Sequence, residues 1–317
     1  MICLFRVISS LSLLFLMINS QPISAEQCNN IQLQVLGAGG PEINDGLASS
    51  SYLVWIDGKA RVMVDAGGGS SLNFEKSGAD FNDIQAILLS HLHVDHSAAL
   101  PIYVKGSFFI GRDTPLSILG PSSGGDFPST KDFIKALFSD EPTEHALGTL
   151  QTSVYPYLSD FIEEQPSTPY LITAKNVIAK NKVWSMTISD QLTLSAINVN
   201  HGSIPALAWR ISSNNCSITF SGDTNARSDN LSLLAKNTQL FVAHNAIPEQ
   251  AGKIAKTLHM TPSRIGEVAN KAHAKKLILS HFMSRSVNVK PQSHALIKAT
   301  YQGDIINAQE LMKVPIF

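Results

Sequence analysis

The chain has 317 residues, 44% of them hydrophobic and 15% charged, with 24 basic against 25 acidic side chains. That composition supplies a sizeable core and excludes a disordered or low-complexity protein. There is no basic excess and no run of Lys or Arg, which argues against a polynucleotide as the main partner, because gripping a phosphate backbone needs concentrated positive charge.

Residues 1–25 read as a secretory signal peptide: Arg6, an apolar stretch from Val7 to Ile18, then Ile23, Ser24 and Ala25 before the expected cleavage point. The stretch is short for a membrane span and no later segment is longer, so the expected mature protein has no stable span and is periplasmic or secreted. Cleavage removes Arg6 and no acid, leaving 23 basic against 25 acidic side chains and a formal charge of −2. Cys3 leaves with the leader. Cys28 and Cys216 remain; an oxidising compartment would allow one disulfide, and two buried thiols are the alternative that the sequence leaves open.

Predicted strands follow over 31–39, 50–57, 60–67 and 84–91, β-branched, partly alternating and bounded by Gly, Asp or Asn. Helices are predicted near 70–78 and 129–139. Residues 140–170 mix Pro, acids and aromatics without a sustained period; they are read as an insertion, either lid-like, with Tyr155, Tyr157, Phe161 and Tyr170 available to close over a substrate, or an excursion without such a role. Further strands are predicted over 186–201, 207–223, 240–246 and 275–282. A helix over 261–274 has Thr261 as N-cap, Pro262 in its first position, and Ile265, Val268, Ala269 and Ala272 on one face. Both halves run from strands through helices to strands again, an α/β pattern read as a single domain over 26–317.

The chemistry concentrates in ILLSHLHVDHSAAL, residues 87–100, which holds three of the ten histidines. The strand ending at Ser90 delivers His91, His93, Asp95 and His96 to its C-terminal edge, where α/β folds build sites. Imidazole and carboxylate suit zinc, and a single catalytic zinc takes about three protein ligands and keeps a place for water. Four groups in six positions therefore imply two metals. The remaining ligands are expected at other strand ends: His201 closes INVNH, Asp223 closes ITFSGD, and His281 follows KKLILS.

These segments carry a resemblance. HLHVDH, NHGSIPALAWRI, FSGDT and LSHF, with LGAGGP, SSYLV, MVDAGGG and ILGPSS, resemble the metallo-β-lactamase-fold hydrolases, in the branch containing ribonuclease Z, arylsulfatases and cyclic-nucleotide phosphodiesterases. The resemblance covers residues 31 to about 285. It implies an αββα sandwich of two mixed β-sheets flanked by helices. It also implies a binuclear metal site, most naturally two Zn2+ ions, with His91, His93 and His201 on one metal and Asp95, His96 and His281 on the other. Asp223 bridges both. Hydrolysis by a water activated between the ions follows, with Asp95 orienting that water and His259 placed near the leaving group as proton or hydrogen-bond donor. His145, His244, His273 and His294 are read as structural.

The sequence departs from ribonuclease Z in two places. Only 22 positions separate His201 from Asp223, too few for a substrate-gripping arm, and VAHNA puts Asn245 where that family has an acid. The resulting expectation is an exported zinc-dependent hydrolase of a small ester, first a phosphodiester (phosphodiesterase-like). Arylsulfatase- or lactonase-type hydrolysis and a non-catalytic metal-fold carrier are the alternatives. A homodimer is compatible with the sequence but not implied by it.

Overall fold

The computed structural model describes residue 28 and residues 30–140, 143–144, 150–151, 153–162 and 170–316. The signal-peptide reading of residues 1–25 lies outside the described residues, as do residues 141–142, 145–149, 152 and 163–169 of the expected insertion.

The first half of the chain supplies β1 (Ile31–Gly37), β2 (Ser51–Ile56), β3 (Lys59–Ala66), α1 (Ser70–Ser77), β4 (Ala86–Leu88), α2 (Val94–Ser97), α3 (Leu100–Phe109), β5 (Leu116–Pro121), α4 (Thr130–Phe138), the small hairpin β6 (Thr143–Glu144) and β7 (Leu150–Gln151), and β8 (Ile172–Val177). The second supplies β9 (Trp184–Ser189), β10 (Leu192–His201), β11 (Ile204–Ser213), β12 (Cys216–Phe220), α5 (Asn230–Leu234), β13 (Leu240–His244), α6 (Lys253–Leu258), α7 (Pro262–Lys271), β14 (Lys276–Ser280), α8 (Ser284–Val287), α9 (Lys290–Lys298), β15 (Asp304–Asn307) and β16 (Lys313–Pro315). One seven-stranded sheet has the order β16-β1-β2-β3-β4-β5-β8, the other β15-β14-β13-β12-β11-β10-β9. Each is mixed: an antiparallel meander passes into parallel strands at β3–β4 and at β12–β13. This is the αββα sandwich expected from the sequence.

The period of two along the inner strands sorts side chains between layers. Leu33, Val35, Tyr52, Val54, Val62 and Val64 face the core between the sheets, while Leu36, Leu53, Trp55 and Met63 meet α1 and α3 outside. Both faces are covered, so these strands read as nearly continuous apolar runs. Helix α7 forms as its sequence dictates. Thr261 Oγ1 accepts from Arg264 N–H, Pro262 occupies the first turn, and Ile265, Val268 and Ala269 are buried.

Cys28 and Cys216 are joined in a disulfide that ties the chain ahead of β1 to the first residue of β12 in the other sheet. The two sheets are also pinned together where their site-bearing edges meet: Leu207 N–H donates to Ser90 O at 2.8 Å, and Trp209 Nε1–H to Leu89 O at 3.1 Å.

The described aromatics of the expected insertion comprise packed ones and an exposed one, Tyr157. Phe161 and Tyr170 are buried in the outer layer with Tyr103 and Phe138, and Tyr170 packs over Arg112 at 5.1 Å. Tyr155 N–H donates to Leu137 O of α4. These aromatics cover the outside of the first sheet; aromatic content alone does not distinguish a lid from a packed outer layer.

Candidate metal centre

Parallel register assembles the site. Val64 pairs with Leu88, so the end of β3 and the residues following β4 emerge side by side: Asp65 from one, Ser90 and His91 from the other. Asp65 takes φ 57° and turns its carboxylate onto Ser90, accepting from its N–H at 2.7 Å and its Oγ–H at 2.8 Å. This locks the turn that launches His91, His93 and α2, which carries Asp95 and His96. In the other sheet, Phe220 pairs with Val242 and His244 with Ser280, bringing Asp223, His244 and His281 to one edge. His201 ends β10 beside them. His281 also has a positive φ of 55°, a local strain that aims its ring inward.

All seven side chains expected as ligands converge. His91 Nε2 faces His93 Nδ1 at 3.0 Å, and these two with His201 offer three nitrogens within 4.8 Å of one another. Across from them, His96 Nε2 and His281 Nε2 are 3.2 Å apart, and Asp95 Oδ2 stands 3.4 and 3.3 Å from them. Asp223 lies between the sets, with Oδ1 3.3 Å from His281 Nε2 and Oδ2 3.7 Å from His201 Nε2. Apart from half-buried His93, each of these seven residues is buried.

The donor set fits divalent cations. His201 Nε2 is buried without a hydrogen-bond partner while its Nδ1–H is taken by the Leu258 carbonyl at 2.9 Å, so a lone pair points into the cluster. The Asp65 carboxylate holds His96 Nδ1 at 2.7 Å and likewise leaves Nε2 as the ligating atom. The electrostatics keep the carboxylates ionised. Burial opposes this, yet the His281 charge and the His244 hydrogen bond hold Asp223 well below the usual range, and hydrogen bonds from His281 and His96 do the same for Asp95; in turn, against burial, Asp65 raises the pKa of His96 and Asp223 that of His281. Burial pushes His91 well below its ordinary value, as a neutral ligand requires.

Two groups sit here that sequence reasoning missed. Asp65 is one. His244 is the other: it was read as merely structural, yet its Nδ1 is 2.8 Å from Asp223 Oδ1 and its Nε2 3.3 Å from Tyr52 OH. With both nitrogens occupied it orients the aspartate rather than competing as a ligand. Each closes an apolar strand, the same signal that flagged His201 and His281. His259 is buried, with Nδ1 unpartnered and 3.7 Å from Asp223 Oδ2. Burial lowers its pKa to about 3, so its ring is neutral at pH 7. Among the other histidines read as structural, His294 of α9 donates its Nε2–H to Asn307 Oδ1 at 3.0 Å and lies outside the ligand groups.

The metallo-β-lactamase superfamily profile matches residues 44–112, and that of a β-lactamase superfamily domain matches residues 148–282. The chain is 26% identical over 281 residues to a protein named ribonuclease Z from Picrophilus torridus, across 81% of this chain and 87% of that one. Among solved structures it is similar to the short form of human tRNase Z (TM-score 0.68, 18% identity, 90% of this chain and 99% of that one). It is also similar to a diphosphatase of the PhnP family (TM-score 0.61, 17% identity, 90% and 97%). At such identities the structural likeness establishes the fold.

Proposed function

We propose that this chain, which belongs to the metallo-β-lactamase superfamily, is an exported, zinc-dependent hydrolase of small phosphodiesters. The observation that carries the reading is the placement of Asp223 between two sets of converging donors: His91, His93 and His201 on one side, Asp95, His96 and His281 on the other. Two divalent ions held there would supply a water nucleophile at neutral pH and a Lewis acid at the attacked centre.

The chain's own residues do the rest. Asp95 is placed to accept a hydrogen bond from the attacking water and so to orient it. Asp65, Leu258 O and His244 hold the ligating side chains in position. His259, neutral because it is buried, offers an N–H to a phosphoryl oxygen or to the departing oxygen; hydrogen-bond donation, rather than transfer from an imidazolium, is the role its environment supports.

A small substrate is supported by the meander β10–β11–β12, which fills the interval between His201 and Asp223 with tight turns and leaves no arm, and by the lack of basic excess. Export is supported by the Cys28–Cys216 disulfide, since such bonds persist in oxidising compartments. Among the described residues no helix is long and apolar enough to cross a membrane. A second reading, an RNA phosphodiester, is favoured by the relative's name, ribonuclease Z.

The deciding experiment assays metal-analysed protein on bis(p-nitrophenyl) phosphate, an aryl sulfate, an aryl lactone and a precursor tRNA, with and without chelator. Phosphodiester turnover that chelator abolishes and zinc restores, with the RNA left intact, is the expected result. Preferential cleavage of the RNA would replace the small substrate by a polynucleotide. Turnover of the sulfate or lactone alone would select those chemistries, and no turnover despite two bound metals would make the protein a carrier.

A further inference from the structure

Beside His259 a groove of about 560 Å³ is lined by Gly252, Lys253, Ile254, Ala255, Leu258 and Arg285. It adjoins the cluster through Leu258, which lines it and holds His201 through its carbonyl, and through the next residue, His259, which ends α6. Helix α6 buries none of its residues, and Ile254 is 80% exposed. An apolar wall is thus held open to solvent next to the ligands.

Two cations border that wall. Arg285 is fixed by its Nε–H, which donates to Ala246 O at 3.1 Å, and by contact of Nη2 with Met283 Sδ at 3.3 Å. Its charge reaches His259 and, after burial and the neighbouring imidazoles, adds to the influences that keep that ring neutral. Lys253 begins α6 at the other end of the groove. Glu42 accepts from Ser284 Oγ–H at 2.8 Å and Glu249 from Ser263 N–H at 3.0 Å, not from either cation. Among the described residues, neither Arg285 nor Lys253 forms an ion pair.

We infer that this groove is a leaving-group subsite for an anion carried on an apolar body, with Arg285 and Lys253 as its specificity-determining cations. The inference rests on the phosphodiesterase reading above and deepens it. An occupant lying on Ile254 and Leu258 removes exposed apolar surface from water, and its anion meets two positive charges that form no ion pair among the described residues. Because His259 follows Leu258 of the groove wall and lies 3.7 Å from Asp223, the half of the ester lying in the groove is assigned as the half that departs past His259. The substrate class is a phosphodiester whose leaving alcohol or phenol carries a second negative charge beyond an apolar spacer.

The test separates binding from turnover. The zinc-loaded full chain is titrated by calorimetry with 4-butylbenzenesulfonate, an anion that ligates zinc poorly, and with the neutral 4-butylphenyl methyl sulfone. The anion is expected to bind about tenfold more tightly, and the preference to fall below about twofold in the Lys253→Gln/Arg285→Gln double variant at unchanged zinc content. Lys253→Gln alone removes part of the preference without touching the Arg285 bond to Ala246. Ile254→Ser weakens both probes alike. Equal binding of the two probes, or a preference that survives in the double variant, would overturn the subsite. Turnover of bis(p-nitrophenyl) phosphate by the same preparation judges the phosphodiesterase reading separately, and its absence removes the leaving-group role even where the anion preference is seen.

Discussion

Asp65 Oδ2 lies 2.7 Å from His96 Nδ1, and the opposite nitrogen of the same ring faces His281 Nε2 at 3.2 Å. The aspartate therefore selects which nitrogen looks into the cluster, and it also fixes Ser90 at the start of the ligand-bearing turn. Removing such a partner costs about 10- to 100-fold in metal affinity. Asp65→Ala is expected to weaken one of two zinc equivalents by that factor in a competition titration with a chromogenic chelator. Asp65→Asn can turn its amide oxygen to the His96 Nδ1–H and lies between the two. Unchanged affinity in Asp65→Ala would show that His96 is oriented by something else.

Gly40 makes a second prediction. A Cβ there would lie 2.9 Å from His281 Cε1 and 3.1 Å from Met283 Cγ. The ring cannot retreat, because Phe282 is tied on both sides, its N–H to Ala38 O and its carbonyl to Gly40 N–H. Gly40→Ala should displace His281 and reduce bound zinc from about two equivalents toward one, measured by elemental analysis after gel filtration. Far-ultraviolet circular dichroism should be unchanged, since the strands on either side keep their pairing.

The disulfide yields a prediction independent of the metals. It closes a loop with a sequence separation of 188. Chain-entropy reasoning gives an upper figure of about 5 kcal/mol for so long a loop, and measured values typically reach about 2–4 kcal/mol. Cys216→Ser should lower the urea midpoint accordingly and steepen the slope, because the unfolded chain without the cross-link is less compact. An unshifted midpoint would mean that the unfolded chain gains little freedom when the bond is absent.

Which parts of this site were legible in the sequence follows from how each part is encoded. His91, His93, Asp95 and His96 are legible because their convergence is local, a property of one turn after one strand. His201, Asp223 and His281 required the further idea that apolar runs end at a common edge. The same idea applies to Asp65 in MVDAG and to His244 in LFVAH, but once seven ligands satisfied two ions no signal demanded more. Their roles depend on the registers Val64↔Leu88 and His244↔Ser280, which no short stretch of sequence contains. The carbonyl of Leu258 was invisible for another reason: any residue type supplies it. The helix over 261–274 was legible down to its cap, because Thr261, Pro262 and the spacing of Ile265, Val268 and Ala269 are all local signals.

His259 and Asp223 separate ligation from catalysis. Asp223 contacts both donor sets, so Asp223→Ala is expected to lose metal and all activity together. His259 forms with His201 and Asp223 a third group able to hold a cation, but it belongs to neither of the two sets above, so His259→Ala should keep two zinc equivalents and lose about 100-fold in kcat, the usual worth of one well-placed donor to developing charge. The pH profile distinguishes the kind of donor. A free histidine titrates near 6.5, but burial carries His259 down to about 3, so it binds no proton across the neutral range. The ratio of wild-type to His259→Ala kcat/KM should therefore stay level between about pH 6 and 8.5. A ratio that falls tenfold per unit above about pH 7 would instead identify His259 as an imidazolium acid, and loss of zinc from His259→Ala would make it a ligand.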